Sequence, residues 1–260
     1  MNPTLRTAAS GMAAQQTRTE VIANNLANVN TTAFKRSRAH FEDLLYQTVQ
    51  SSAVLGGADA TTTPAIQVGR GTRLAAVERL DAQGALQMTG SPLDVAIEGD
   101  GLFQVQMPNG TTAYTRDGSF QISDQGTLTT KGGHTVVPGI KIPDDVSDLS
   151  ISRNGIVSAL RGGDTIELGR IELARFPNSS GLLNLGENLY SETTASGRAI
   201  VGFPDEEGMG RLIQGHLEGS NVEIVQEMVE MISAQRAYEL NSKAIKAADE
   251  MSEVANQIVR

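Results

Sequence analysis

The two ends of the chain carry its only long helical patterns. Within residues 5–29, mostly apolar side chains recur at alternating spacings of three and four, a heptad pattern, at Leu5, Ala8, Met12, Gln15, Thr19, Ile22, Leu26 and Val29. Residues 221–259 keep the same rhythm at Ile224, Met228, Met231, Gln235, Tyr238, Ser242 and Ile245. Neither helix can bury its stripe alone, so each needs the other helix or a neighbouring subunit. This arrangement is more typical of an assembly component than of an enzyme.

The C-terminal pattern carries a second apolar stripe beside the first. Its members are Val225, Val229, Ile232, Leu240, Ala244, Ala247, Met251, Val254 and Ile258. Two offset stripes form a broad apolar face that can contact more than one partner helix. The alternative is a helix that lies flat on the chain's own β domain. The sequence Ser220-Asn221-Val222-Glu223 predicts a capping box at the start of this helix.

The middle of the chain predicts short antiparallel strands. Turn signals recur between about Leu74 and Gly215, and Asn109-Gly110 and Asp117-Gly118 both have the composition of two-residue hairpin turns. The predicted fold class is therefore α+β. The long N- and C-terminal helices are predicted to form a coiled-coil-like inner domain, and the middle of the chain an antiparallel β-rich domain. The predicted segments are an N-terminal helix (1–33), a linking or extended arm (34–73), a β-rich outer domain (74–215) and a C-terminal helix (216–260).

The tract from Gln47 to Gly71 is rich in Ser, Ala, Thr and Gly. A loop of this length is rare inside a compact domain, so we expect it to be either mobile or ordered by a neighbouring subunit.

Composition narrows the function. The formal net charge of −9 argues against nucleic-acid binding, and the one local basic cluster, Lys35-Arg36-Ser37-Arg38, is interpreted as a solvated or subunit-contacting patch. The absence of cysteine excludes disulfides and thiolate chemistry. The first thirty residues lack a signal-peptide pattern, and no run approaches the ~18 apolar residues of a membrane span. We expect a cytosolic protein, or one exported without a cleaved signal.

No motif predicts a catalytic residue, a cofactor or a metal site. His40, His134 and His216 stand alone, without acidic or histidine neighbours at ligand spacing. Gly99-Asp100-Gly101 resembles half of a dinucleotide fingerprint, but a strand pattern follows it, so a turn at the head of a strand is the better interpretation. Two carboxylates could still meet in space, although nothing indicates such a pair.

Three asparagines fall within five residues near the end of the first helix, where their helix propensity is poor. Asn24 and Asn28 are four residues apart and share a face, and Asn25 lies between them. One interpretation is a fraying last turn. The other is that buried amides bond to a neighbouring helix or backbone and so select one register.

Residues 23–36 (ANNLANVNTTAFKR) closely resemble the N-terminal signature of the bacterial flagellar rod and hook family. SNV at 220–222, followed by EM at 227–228, MI at 231–232, QRAYE at 235–239 and NSK at 241–243, is similar to the family's C-terminal signature. GDGLF at 99–103 and YTRDGSF at 114–120 match its shared β domain. Many family members have glycine at the position of Ala33, and alanine disfavours a positive φ there.

The resemblance implies a structural, non-enzymatic subunit of a helical homopolymer, and the arm region most resembles the branch that forms the distal rod. The implied partners are proximal rod subunits, hook subunits, the surrounding bushing rings and a rod cap during assembly, with no nucleic acid and no membrane insertion. It also implies type III flagellar export without a cleaved signal and a periplasm-spanning location in the basal body. Another rod or hook subunit stays an alternative, as does a secreted β-domain enzyme with helical ends.

The predicted subunit interface combines the helical stripes with the asparagine segment. Its residues are Leu5, Met12, Ile22, Asn24, Asn25, Leu26, Asn28, Val29, Phe34, Ile224, Met228, Met231, Ile232, Tyr238, Leu240, Asn241 and Ile245.

Overall fold

The structure is a computed structural model that describes residues 3–50, 53–55, 61–63, 65–143, 145–146, 148–206 and 208–258. The chain divides into two compact units. We call them the helical unit (Met1–Ala27, Ser37–Glu78 and Glu223–Arg260) and the sheet unit (Asn28–Arg36 and Arg79–Val222). Terminal helices together with an antiparallel β-rich middle confirm the predicted α+β class. The predicted segment limits at residues 33, 73 and 215 stay predictions.

The elements in chain order begin with helix α1 (Pro3–Ala27), followed by the strands β1 (Ser37–Asp43), β2 (Tyr46–Gln50), β3 (Ala53–Leu55), β4 (Thr61–Thr63), β5 (Ile66–Gly69), β6 (Thr72–Arg79), β7 (Leu86–Met88), β8 (Val95–Glu98), β9 (Leu102–Gln106), β10 (Thr112–Thr115) and β11 (Phe120–Ile122). The chain continues with β12 (Leu128–Thr130), β13 (Thr135–Val136), β14 (Leu149–Ile151), β15 (Ile156–Arg161), β16 (Asp164–Arg170), β17 (Leu173–Arg175), a short 3-10 helix (Ser179–Gly181), β18 (Leu183–Gly186), β19 (Leu189–Ser191), β20 (Ile200–Gly202), β21 (Arg211–Gln214), β22 (His216–Glu218) and helix α2 (Ile224–Ile258).

Helix α1 ends where the polar run begins, because the chain turns after Ala27 and the Thr31 amide donates to the Asn28 carbonyl at 3.1 Å. Helix α2 begins at Ile224. The predicted capping box is wrong: the Ser220 hydroxyl accepts a bond from the Val222 amide at 3.3 Å. The physical reason is that β22 keeps the chain extended up to Glu218, so the first helical turn starts too far along the chain for Ser220 to cap it.

The tract after Tyr46 forms paired strands in the part that the structure describes, and residues 51, 52, 56–60 and 64 of the predicted arm lie outside that part. β2 pairs antiparallel with β5, and β3 with β4, so the segments nest as a two-stranded ribbon (Tyr46–Gly69). The ribbon root is held by the Leu44 amide, which donates to the Gly71 carbonyl at 2.9 Å. Every residue of β2 is exposed, so the ribbon has little apolar cover of its own.

The sheet unit is built on a nine-stranded antiparallel sheet with the order β11-β12-β13-β9-β10-β19-β18, and β17 joins β9 to β20. One face carries the main core, where the rings of Phe103 and Phe120 meet edge to face at 4.9 Å. A smaller cluster includes Tyr114, Phe176 and Tyr190.

Neither of the two predicted two-residue hairpin turns is present in that form. β9 and β10 do pair on either side of Asn109-Gly110, but the connection is longer than two residues: the Met107 amide donates to the Thr111 carbonyl and the Gly110 amide donates to the Met107 carbonyl, both at 2.9 Å. After Asp117-Gly118, however, β11 pairs with β12 and not with β10. The Gly118 carbonyl accepts from the Val95 amide at 3.0 Å, and a Cβ on Gly118 would lie 1.7 Å from the Val95 oxygen. Glycine is therefore required by this close approach of two backbones and not by a tight turn.

Ala33 has a φ of +58°, contrary to the expectation from its side chain. It is 1% exposed, and its amide donates to the carbonyl of Glu218 at 2.8 Å. That hydrogen bond and the surrounding packing hold a conformation that costs an L-residue about 1–2 kcal/mol.

We therefore expect the free energy of unfolding of the Ala33→Gly variant, measured in urea, to exceed that of the Ala113→Gly variant by about 1–2 kcal/mol. Both changes remove a methyl group that is 1% exposed, but only the change at residue 33 also relieves a positive φ. Equal losses in the two variants would contradict the assigned strain.

Candidate assembly interface

The seam between α1 and α2 is built from small and polar side chains. On α2, Glu227, Ala234, Asn241 and Ala248 recur every seven residues, and all four are buried or half-buried. On α1, Gly11 permits the closest approach, since a Cβ there would lie 2.9 Å from the Asn241 Nδ2. An ion pair between Arg18 and Glu230 at 3.5 Å lies beside the seam.

The predicted α2 stripes lie mostly off this seam. Met231 and Ile245 are half-buried, but Ile224, Met228 and Tyr238 remain 44–51% exposed, as does Ile232 at 48%. The α1 members of the predicted interface, Leu5, Met12, Leu26 and Val29, are half-buried together with Phe34, and Ile22 is buried. Their assignment to contacts between subunits stays a prediction.

Asn25 is the asparagine that ties the helix ends within one chain. Its side chain is 1% exposed: Nδ2 donates to the Ser37 carbonyl at 2.8 Å and to Glu227 Oε2 at 3.1 Å, while Oδ1 accepts from the Ser37 amide at 2.9 Å. Asn24 is exposed, and Asn28 is half-buried and accepts from the Thr31 hydroxyl at 3.1 Å. Asn25 thus has the geometry of a buried register amide. Asn24 is one residue from Asn25, about 100° around the helix axis, and its side chain lies at the surface.

The face of α2 that points away from α1 is apolar and uncovered. Five residues in its first nine positions are 48–76% exposed: Ile224, Val225, Met228, Val229 and Ile232. Leu240, Met251 and Val254 extend the face at 54–65% exposure. Among the α1 side chains that the structure describes, none of the large apolar ones is exposed to this degree. The exposed apolar cluster at residues 224–232 has a composition characteristic of a protein contact.

The sheet unit contains a buried carboxylate, Glu218, whose side chain is fully inaccessible. Its Oε1 accepts from the Lys35 ammonium at 2.5 Å and from the Gly84 amide at 2.9 Å, and its Oε2 accepts from Arg116 Nε at 2.6 Å. Lys35 also donates to the Ala82 carbonyl at 2.9 Å. The interpretation of Lys35 as part of a solvated or subunit-contacting patch is therefore wrong, because this lysine neutralises an internal carboxylate.

Arg116 explains the Gly99-Asp100-Gly101 motif. Its guanidinium donates to the carbonyls of Ile97, Gly99 and Gly101, so the turn surrounds a cation with backbone oxygens. The glycines adopt φ values of +102° and +140°, which only glycine reaches without strain. The motif is a turn at the head of β9, as interpreted from the sequence.

Burial and charge act in opposite directions on this cluster. Burial lowers the pKa of the Lys35 ammonium, and its hydrogen bond to Glu218 only partly opposes that effect. For Glu218, burial alone would raise the pKa, but the charge of Arg116 and the hydrogen bonds from Lys35 and Arg116 together hold it below the ordinary value of 4.5. The carboxylate is thus ionised at neutral pH.

Asn221 continues the same network along the backbone. Its Oδ1 accepts from the Arg36 amide at 2.7 Å, and its Nδ2 donates to the carbonyls of Leu80 and Ala82, both at 2.9 Å. Segments 33–36, 80–84 and 218–221 are therefore joined by side chains inside the sheet unit. The sequence motifs indicated that these residues mattered, but they held no signal that the contacts lie within one chain.

The charged side chains that line one cleft of the sheet unit are largely engaged in ion pairs. A cleft of about 580 Å³ in the sheet unit is lined by Arg79, Tyr190, Lys35 and Arg116. Arg79 lies 4.1 Å from the centre of the Tyr190 ring and pairs with Asp81 at 2.7 Å, while Lys35 and Arg116 both pair with Glu218. Among the described residues, no cluster of three or more acidic or histidine side chains could hold a metal, and neither described helix is apolar enough to cross a membrane.

Comparison with known proteins finds three family models along the chain. The model for flagella basal body rod protein matches residues 5–35, that for the flagellar hook protein FlgE/F/G D1 domain matches 96–159, and that for the flagellar basal body rod FlgEFG protein C-terminal matches 213–258. Lys35, Arg116 and Glu218 each come from a different one of these segments. The resemblance noted in the sequence is thereby confirmed.

Curated relatives cover nearly the whole chain. The flagellar basal-body rod protein FlgG of Borreliella burgdorferi is 51% identical over 260 residues, spanning 98% of each chain, and that of Caulobacter vibrioides is 48% identical over 257 residues, also 98% of each. The FlgF rod protein of Caulobacter vibrioides is 35% identical over 240 residues, 91% of this chain and 89% of its own.

The buried cluster generates a prediction about acid stability. Above 4.5, the ordinary pKa, the Glu218 carboxylate contributes its full stability, which is lost as pH falls through the lowered pKa of the folded state. Lys35→Met removes one group that lowers this pKa, so acid unfolding should begin at higher pH. At pH 7 the variant should lose about 3 kcal/mol of unfolding free energy. Arg38→Met, at an exposed neighbouring position, serves as the control. Acid unfolding is followed by circular dichroism. If the curves of the Lys35→Met variant and of the parent coincide, the role assigned to Lys35 is excluded.

Proposed function

Because this chain belongs to the family of flagellar basal-body rod proteins, we propose that it is a structural subunit of the distal rod, a helical tube of identical subunits that transmits motor torque to the hook. The uncovered apolar face of α2 is the observation that carries this proposal. A helix packed on its own chain through small and polar residues keeps its large apolar side chains for other subunits.

The energetics favour a repeated contact over a single one. The five exposed apolar residues at the start of α2 are about half buried already, so completing their burial contributes roughly 1 kcal/mol each. The sum is close to the lower limit of the association cost, about 4 kcal/mol. One such contact gives weak binding, so a stable assembly requires that each subunit touch several neighbours, as in a helical lattice.

The remaining parts of the proposal follow from the family. The axial partners are copies of this chain, proximal rod subunits, hook subunits and a rod cap during assembly, with bushing rings outside. The subunit reaches its periplasm-spanning place in the basal body through the flagellar type III apparatus. It has no enzymatic role and needs no cofactor.

The alternative within the family is another rod or hook subunit. The higher identity to the FlgG than to the FlgF protein of Caulobacter vibrioides favours the first assignment over FlgF. A secreted β-domain enzyme would need a convergent acid or nucleophile in a cleft, whereas Lys35, Arg79 and Arg116 of the described cleft are engaged in ion pairs with Glu218 and Asp81.

Ile232→Asp should abolish assembly and leave the protein folded. The residue is 48% exposed in the single chain, so the aspartate is solvated there, but it would be buried without a partner in a tube wall. Met88→Asp is the control, since Met88 is 80% exposed on β7 of the sheet unit and is not part of α2. Sedimentation and electron microscopy measure assembly, and circular dichroism of the monomer checks the fold. Rods of normal length from the Ile232 variant would disprove the assignment.

The ribbon is proposed to stiffen the polymer by packing on a neighbouring subunit. An isolated two-stranded ribbon is marginally stable in water. This ribbon and the residue before it expose Leu45, Tyr46, Val49, Ile66 and Val68 at 50–87%.

Deletion of residues 47–67 should give a polymer that forms but bends. A milder variant, Val49→Ser with Val68→Ser, keeps the ribbon length and should show a smaller change in the same direction. Electron microscopy of the tubes measures their curvature. Deletion tubes as straight as those of the parent would rule out this stiffening role.

A further inference from the structure

Two of the edge strands of the main sheet, β18 and β20, expose apolar side chains. A continuous path of pairings runs β20-β17-β9-β10-β19-β18. Within the described residues, β18 pairs only with β19 and β20 pairs only with β17, so these strands are the opposite ends of the path. Each presents one unpaired backbone edge.

The two edges are protected against strand pairing only by their short length and, in β18, by a bulge. On β18, Leu183 and Leu185 are 56% and 49% exposed, and on β20, Ile200 and Val201 are 44% and 48% exposed. Neither strand contains the lysine or proline with which natural edge strands block pairing. A bulge between Asn184 and Gly186 distorts the end of β18 and leaves its start regular.

Acidic side chains flank β18, whereas the side chains beside the start of β20 are basic. Glu187 directly follows β18, and Glu192 follows its partner β19; both are exposed. Arg198 precedes β20 and is exposed, and Arg175 is the register partner of Ile200.

Acidic groups also lie near the end of β20: half-buried Glu172 precedes β17, and exposed Asp205 follows β20. Glu187 Oε2 lies 3.5 Å from His134 Nε2 yet keeps 74% of its side chain exposed. Beyond β20, Glu206 is paired with Arg170 at 2.6 Å, and Asp205 lies in the same turn.

We infer that β18 of one copy of this chain pairs with β20 of the next copy, so that the sheets of neighbouring subunits join edge to edge. The inference rests on the proposed function, because it names a contact between subunits of the polymer. The occupant of each edge is a second copy, since the complementary edge with the opposite charge lies at the other end of the same sheet.

Pairing of unlike edges leaves one free edge of each type, so the row extends without closing. Pairing of β18 with another β18 would instead bring Glu187 and Glu192 together with their own copies, and the like charges would repel. Pairing of two β20 strands would likewise bring Arg175 and Arg198 close to their own copies, and these like charges would repel. Main-chain hydrogen bonds would supply the affinity, as in other cases of strand addition.

The absence of cysteine makes the contact testable by crosslinking. In assembled full-length protein, the double variant Leu185→Cys/Val201→Cys should give a ladder of covalent oligomers with a short bis-maleimide linker. A mixture of the two single variants should give dimers only, and each single variant alone should give none. Leu185→Cys/Ile122→Cys is the matched control, since Ile122 is 45% exposed on β11, the remaining edge of the same sheet.

Charge reversal provides a second, independent measurement. Arg198→Glu should raise the concentration needed for assembly roughly tenfold, and Glu187→Arg should do the same. The double variant Glu187→Arg/Arg198→Glu should assemble at a concentration close to that of the parent, because every subunit then carries complementary edges again. Tubes without a crosslinked ladder, or dimers from Leu185→Cys alone, would overturn this pairing and leave the proposed function standing. A parent chain that never self-assembles would overturn both.

Discussion

A carboxylate that has lost its water must be neutralised where it lies, and the sheet unit is organised around that requirement at Glu218. Two cations and a backbone amide reach its oxygens, and they come from segments far apart in the sequence: Lys35, Gly84 and Arg116. An ion cluster of this kind adds little to stability compared with a packed apolar core, but the loss of one member leaves a buried charge unpaired. The cluster therefore selects one arrangement of the segments and penalises others.

Polar and apolar groups occupy reversed positions in the two units. The sheet unit has a conventional apolar core, and its charged cluster is internal. The helical unit places amides, a carboxylate and alanines at its internal seam and leaves Ile, Val and Met on the outer side of α2. Small residues allow close helix approach without consuming large apolar area. The result is a chain that can fold by itself and still retain a driving force for association.

The sequence was sufficient to predict both helices, the end of α1 and the antiparallel middle, because period and turn chemistry act locally. It could not predict which α2 stripe faces α1, since the helix carries several stripes at heptad spacing and the small residues Ala234 and Ala248 give a weaker signal than methionine or isoleucine. It also misplaced Lys35, because a lysine beside two arginines resembles a solvated patch until a distant glutamate is placed next to it. Asp117-Gly118 failed for a related reason: its glycine serves a long-range contact with Val95 and not a local turn.

These distinctions separate two ways in which a substitution can stop assembly. Residues of the family motifs, such as Asn25, Lys35 and Asn221, make their observed contacts inside one chain, so changes there act first on the stability of the protomer. Residues such as Val225 and Met228 are exposed in the single chain and contribute little to its folding. We therefore expect changes at these positions to leave the folded monomer intact and to act on association. A motif that identifies a polymer-forming family can thus include residues whose contacts inside one chain fix the fold on which assembly depends.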